Sequence, residues 1–209
     1  MSTRASTLFG GSGGSIKGVP VPKIMSGTGI YPHYTFTFTS TPLTTTATRL
    51  YYVPIYLDNL TTFAGMKTYN SGAGDNGETY RVGIYNEAAA GGPGSLLNDC
   101  GEITLTGAPG LRTAASSFTN TVTGWHYLAL HANSAFAIYA FVTAMGRSGS
   151  QPYDNTNEAL PQFGMGSFAG GTNSSYPFLY VDTAYGALAS TAVAPTASIN
   201  SAPAMQVYV

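Results

Sequence analysis

Tyr80-Arg81-Val82-Gly83-Ile84-Tyr85 and Gly124-Trp125-His126-Tyr127-Leu128-Ala129-Leu130 frame the stretch that decides the fold. Both are short runs of β-branched, aromatic and aliphatic residues, which suit a pleated, packed surface. Between them come Gly92-Pro93-Gly94-Ser95-Leu96-Leu97 and Asp99-Cys100-Gly101, turn chemistry leading into a further strand. The stretch reads as a compact antiparallel module. It contains no recognisable catalytic constellation.

Working outward, the same pattern recurs. From His33 to Thr39 the chain alternates strictly, with Tyr34, Phe36 and Phe38 on one face and His33, Thr35, Thr37 and Thr39 on the other. That is a half-buried strand, and Thr41-Pro42 is expected to end it. Arg49 to Leu57 makes a second strand, which Pro54 places at an edge or a bulge. Leu60 to Thr68 and Thr79 to Tyr85 follow, separated by the Gly72–Gly77 turn. Leu96 to Leu105 reads as one strand with a bulge near Cys100-Gly101, and Ser116 to Val122 as a weaker one. Trp125 to Ala132 and Ala135 to Val142 are apolar on both faces, as in the middle of a packed sheet. They flank Asn133-Ser134, a hairpin signal. Pro177 to Val181 and Ala204 to Val209 close the series.

About ten short strands with turn signals between them, and no amphipathic helix, predict an all-β chain. The expected fold is an antiparallel β-sandwich, jelly-roll-like, spanning residues 33–209. No period of 20–50 residues recurs, which argues against a solenoid. Residues 1–32 read instead as an extended N-terminal arm. Gly10 to Ser15 is a Gly/Ser tract and Val19-Pro20-Val21-Pro22 is held extended by its prolines. The arm is expected to anchor the chain by ordering against a partner.

Composition narrows the function. Only 8% of the 209 residues are charged and the net charge is -1, against roughly 25% charged residues in ordinary domains. No basic field for nucleic acid is present. Solubility rests on Thr, Ser, Asn and Gly, which suits a subunit of a large assembly or a carbohydrate binder. No run approaches the roughly 20 apolar residues that cross a bilayer, so no membrane insertion is expected. No apolar leader follows Met1, and assembly in a reducing cytoplasm is expected. The single cysteine, Cys100, forms no intrachain disulfide and reads as a small buried thiol.

Motifs that carry chemistry are weak. Gly10-Gly11-Ser12-Gly13-Gly14 matches the spacing of a serine nucleophile elbow but lacks its strand and helix. His126 and His131 are five apart on one strand, so their side chains point to opposite faces and share no ion. Asp75-Asn76-Gly77-Glu78 has calcium-loop oxygens, and an Asn-Gly turn accounts for the same residues. No metal, cofactor or catalytic residue is expected. Function is placed instead on the long Gly/Asn/Pro-rich region 143–176. There Tyr153, Phe163, Phe168 and Tyr176, with Asn155 and Asn173, offer aromatic faces and amides for a ligand or a neighbouring subunit.

Tyr52-Val53-Pro54-Ile55, Val82-Gly83-Ile84-Tyr85, the Gly92–Leu97 loop, Asp99-Cys100-Gly101 and the Gly124–Leu130 strand together resemble a β-sandwich module of tailed-bacteriophage virion proteins, of tail-fibre, head-fibre or decoration type. The similarity covers roughly residues 50–142. It implies a non-enzymatic structural protein of the virion, docked by residues 1–32 onto other capsid or tail proteins. A homo-oligomer is implied, a trimer foremost, with a host-surface glycan as ligand. A capsid decoration protein cementing the head is the alternative, and a polysaccharide-degrading enzyme a third. The chain lacks the coiled-coil shaft of a long fibre.

Overall fold

The computed structural model of the chain describes residues 24–26, 29–31, 36–57, 61–72, 76–143, 178–199 and 201–209. Fourteen strands and no helix lie among them, so none of the described residues forms a helix that could cross a membrane. In chain order the first seven strands are β1 (Ile24–Ser26), β2 (Gly29–Tyr31), β3 (Phe36–Thr44), β4 (Arg49–Leu57), β5 (Thr61–Asn70), β6 (Asn76–Glu87) and β7 (Pro93–Thr106). The rest are β8 (Gly110–Asn120), β9 (Gly124–Ala132), β10 (Ala137–Thr143), β11 (Phe178–Asp182), β12 (Ala197–Ile199), β13 (Ser201–Pro203) and β14 (Met205–Tyr208).

Two antiparallel sheets pack face to face as a β-sandwich. Eight strands set its topology. β4, β9, β6 and β7 are neighbours in that order in one sheet, and β3, β10, β5 and β8 in the other. Successive strands therefore change sheet at every step except β6 to β7, which is the order of a jelly roll. β11 and β12 extend the first sheet beyond β4.

The second sheet departs from the plain roll at one seam. β10 and β5 meet only at Ile138↔Asn70. Beyond that pair the strands diverge, and residues 201–208 fill the wedge between them. β13 runs in along β10, with Ala140↔Pro203 and Phe141↔Ala202 paired. The chain turns at Ala204, whose N–H donates to the Tyr139 carbonyl at 2.8 Å. β14 then leaves along β5, from Met205↔Thr68 to Tyr208↔Gly65. Ala202, Ala204, Met205 and Val207 are buried there.

Between the sheets the core follows the period of two. Tyr51, Val53, Ile55 and Leu57 of β4 and Tyr80, Val82 and Ile84 of β6 point inward, level with Leu128 and Leu130 of β9. Phe63, Met66 and Ile138 face them from the second sheet. Tyr80 ties the layers together. Its ring stacks on Phe136 with centroids 4.9 Å apart, and its hydroxyl meets the Thr68 hydroxyl at 2.5 Å. Burial raises the Tyr80 pKa to about 12, so the phenol stays neutral and bonded.

Several local expectations hold and others change. Val82 pairs Gly101 while Gly83 pairs Asp99, so Cys100 is the extra residue of a bulge; Gly101 carries the positive φ of 99° that the bulge needs. β3 does not stop at Thr41-Pro42 but continues to Thr44. Its register against β10 shifts across residues 40–42, so the proline marks a kink. β4 is an interior strand, although β11 pairs it only through Arg49–Tyr52, so the β11 pairing has ended by Pro54. Asn133-Ser134 is not a hairpin turn: β9 and β10 lie in different sheets. Part of the expected arm is also built into the sheet, since β1 pairs β2 and β2 pairs β14. Ile24-Met25 and Ile30-Tyr31 give that portion apolar residues that the preceding Gly/Ser tract lacks.

Candidate functional site

The outward faces of the two sheets differ. On the first sheet, register places Tyr52 of β4, Tyr85 of β6 and Tyr127 and Ala129 of β9 outward, yet all are buried. The Tyr127 hydroxyl is bonded to the Gly92 backbone in the loop between β6 and β7. A strap formed by residues 183–196 lies over Tyr52 and Tyr85. Its sequence, Thr183-Ala184-Tyr185-Gly186-Ala187-Leu188-Ala189-Ser190-Thr191-Ala192-Val193-Ala194-Pro195-Thr196, is dominated by small side chains that let an irregular backbone lie close on a tyrosine-rich surface.

The strap is fixed along its length. Thr183 N–H donates to the Thr48 carbonyl and Thr196 N–H to the Tyr180 carbonyl, fastening its two ends. Between them the Tyr85 hydroxyl donates to Ala189 O and the Tyr52 hydroxyl to Val193 O, each at 3.1 Å. Leu96 N–H reaches Ser190 O and Ala192 N–H reaches Gly94 O, at 2.9 and 2.7 Å. The irregular backbone thereby satisfies polar groups that burial would otherwise leave unpaired. Leu188 fills the space over Gly83, where a Cβ would collide with the Leu188 side chain and the Asn98 carbonyl. Burial pushes Tyr85 up to about 12 and Tyr52 higher still, so both phenols act as donors at neutral pH.

A polar cluster locks one side of the strap. Arg81 Nη1 donates to Asp99 Oδ2 at 3.0 Å. The same carboxylate accepts Leu188 N–H at 3.3 Å and, through Oδ1, Gly101 N–H at 2.9 Å. Tyr185 donates to the Glu102 carboxylate and lies against the His131 ring, whose Nε2–H donates to Thr183 O at 3.2 Å. Asp99 and Glu102 thus both sit on β7 and both hold the strap. At the far end of the strand pair, Trp125 is only 4% exposed and stands edge-on to Tyr56 at 5.6 Å.

The outward face of the second sheet is open. Tyr69 of β5 is 43% exposed and its cross-strand partner Leu111 of β8 is 47% exposed. Tyr139 of β10 packs edge-on against Tyr69 at 5.3 Å, so the three form a row across the sheet. Beside it Lys67 places Nζ 4.2 Å over the Tyr208 ring. Thr113, Ala115 and Ser117 continue the face along β8, and Thr62 bonds Thr119 across the strands at 2.9 Å. Aromatic rings, hydroxyls and one cation are the chemistry of a contact surface.

The other candidates resolve as follows. Tyr153, Asn155, Phe163, Phe168, Asn173 and Tyr176 lie outside the described residues. His126 and His131 do face opposite ways: register turns His126 inward with Ile55 and His131 outward under the strap. Among the described residues no three metal-liganding side chains come together. Cys100 is buried, and desolvation raises its thiol to about 11, so it stays protonated at neutral pH. Sequence reasoning missed the strap and the open row. The one available signal was that β9 is apolar on both faces, which requires a cover on its second face.

Compared with known families, curated proteins and solved structures, the chain matches none.

Proposed function

We propose that this chain is a non-enzymatic accessory structural protein of a tailed-phage virion, of tail-fibre or spike type. In this reading residues 1–32 dock it onto other virion proteins. The sandwich is presented outward as a homo-oligomer, a trimer foremost, with a host-surface glycan as ligand. The observation that supports the reading most is the contrast between the two faces. One is sealed by the chain's own strap. The other presents Tyr69, Leu111, Tyr139 and Lys67, side chains suited to an assembly contact or to stacking on a sugar. A chain with 8% charged residues and abundant hydroxyls also suits a subunit packed among others.

Antibody raised against the purified chain should label purified tailed particles in electron micrographs, and label at the tail is the expected result. The free protein should compete with those particles for adsorption to host cells. Label on the head selects a decoration protein instead. Particles that carry none of the chain, established by mass spectrometry, overturn the virion reading.

A further inference from the structure

The seam between β5 and β10 is where the fold is assembled from a separate piece. All eight strands of the jelly roll lie within residues 36–143, yet two of them stay apart except at Ile138↔Asn70. The wedge they leave is filled by residues 201–208 through main-chain pairing on both arms, with Ala202, Met205 and Val207 completing the core. Strand addition of this kind takes affinity from backbone hydrogen bonds and specificity from alternate side chains in apolar sites. The wedge also carries the N-terminal strands, because β2 pairs β14 and β1 pairs β2.

We propose that this seam is a strand-acceptor site whose occupant, in the oligomer, is the 201–208 segment of a second copy of the chain. The segment's fit to the seam is already on display within one chain, and a second copy offers the same residues in the same register. Exchange therefore keeps every contact of the seam and gives up only the short β12–β11 pairing, which makes it a low-cost route to an oligomer. The strap stays fastened through Thr196, and only the link from it to the seam is lightly held: β12 is three residues long and pairs only β11, and a single residue separates it from β13. Pro195, just before β12, favours an extended lead-in by disfavouring the helical conformation at Ala194. In the exchanged form β1 and β2 face a wedge supplied by the neighbour, so the docking segment of one subunit rests on strand residues of the next. This deepens the homo-oligomer part of the function proposed above and is independent of which particle the chain belongs to.

Directly opposed residues in an antiparallel pair stand about 4.5–5.5 Å apart at Cα, within disulfide reach. Lys67 and Gln206 are such a pair, and both point outward. Two full-length variants, Lys67→Cys and Gln206→Cys, are co-expressed and oxidised. Exchange predicts a disulfide-linked heterodimer as the main product, while either variant alone stays largely uncross-linked. The double variant in one chain should then give cross-linked oligomers rather than intrachain bonds. Should either cysteine prevent folding, a 1:1 mixture of isotope-labelled and unlabelled wild-type chains, refolded together, gives the second reading. Isotope-filtered NMR should show contacts between Val207 of one chain and Met66 of another, which are paired across β14 and β5. Intrachain cross-links and contacts alone, in a protein that sediments as an oligomer, overturn the exchange and leave the oligomer standing. The same result in a protein that sediments only as a monomer overturns both.

Discussion

The two sheets of this sandwich solve the same problem in opposite ways. Each has an outward face, and in a half-buried sheet that face is ordinarily polar. On the first sheet it is tyrosine-rich and apolar across β4, β6 and β9, and residues 183–196 lie over it, so these central strands are buried on both sides. On the second sheet Thr and Ser occupy much of the outward face, and the larger residues Tyr69, Leu111 and Tyr139 sit in one row among them. Apolar residues on the first face are therefore structural, and those on the second are available for contact. The lesson is that an aromatic residue on a strand says little about function until its cover is known. Trp125, the single tryptophan, is a case in point: on an open face it would suit stacking on a sugar, but here it is almost fully enclosed.

The largest effect should come from that tryptophan. Trp125→Ala should lower the unfolding free energy by roughly 3–5 kcal/mol, the usual cost of emptying a large aromatic site, as read from denaturant titration. An unchanged midpoint would mean that the covered face is not a second core, and the contrast between the sheets would collapse. Next in size is Gly83→Ala, which sets a methyl against Leu188 and the Asn98 carbonyl. Overpacking of this kind costs about 1–3 kcal/mol. Pairing it with Leu188→Ala sharpens the test, since the second change removes one of the two obstacles. A double variant no more stable than the sum of the singles would show that the strap does not press on Gly83.

Acid should loosen the covered side through His131. Burial lowers its pKa, outweighing the carbonyls around it, and Arg81 pushes in the same direction. Its neighbours include Arg81 on β6, Tyr185 and the Thr183 and Gly186 carbonyls of the strap, and the Thr48 carbonyl before β4. His126, inside the sandwich, is also lowered by burial, against a smaller opposing bond to Gly124 O. Both groups bind protons less readily when folded than when unfolded, so the unfolded chain gains protons first as the pH falls. Their neutral forms carry no penalty above the unfolded value of about 6.5. Stability should therefore decline as the pH drops below that value and level off only beneath the folded pKa values. His131→Gln should flatten part of this slope in a melting series between pH 7 and pH 5. A slope unchanged in both His131→Gln and His126→Gln would remove histidine titration as its cause.

Much of this frame was legible in the sequence, for physical reasons particular to each element. β6 and β9 stood out because aromatic and β-branched runs between glycines have few other uses. The bulge at Cys100 was legible because Cys-Gly interrupts an otherwise regular strand at a residue free to take positive φ. The divergence of His126 and His131 followed from the period of two alone. The route between sheets was not legible. Asn133-Ser134 signals a turn, but the same two residues serve a chain that folds back within one sheet or one that crosses to the other. The first half of β8, Gly110-Leu111-Arg112-Thr113-Ala114-Ala115, was missed because Gly and Ala have poor strand propensity; its pairing to β5 supplies what propensity does not. The strap has no period at all, so no pattern could reveal it.

The smallest effect on stability belongs to the open row, and it bears most directly on function. Leu111→Ser removes an exposed side chain that stands opposite Tyr69 across the strand pair. Tyr69→Ser removes its edge contact with Tyr139. Cross-strand pairs contribute roughly 0.2–1 kcal/mol and surface changes away from special features less than that. Each variant should therefore melt within a few degrees of the wild type, in contrast to Trp125→Ala. If the open face is a contact surface, the same variants should lose oligomer formation, incorporation into particles or adsorption to cells far out of proportion to that small change. Loss of incorporation assigns the row to a protein neighbour, and loss of adsorption by particles that still carry the chain assigns it to a ligand on the cell. Variants that fold, assemble and adsorb like the wild type would leave the row as ordinary scattered surface. Function would then have to be sought on another part of the chain, since the first sheet's outward face is already occupied by residues 183–196.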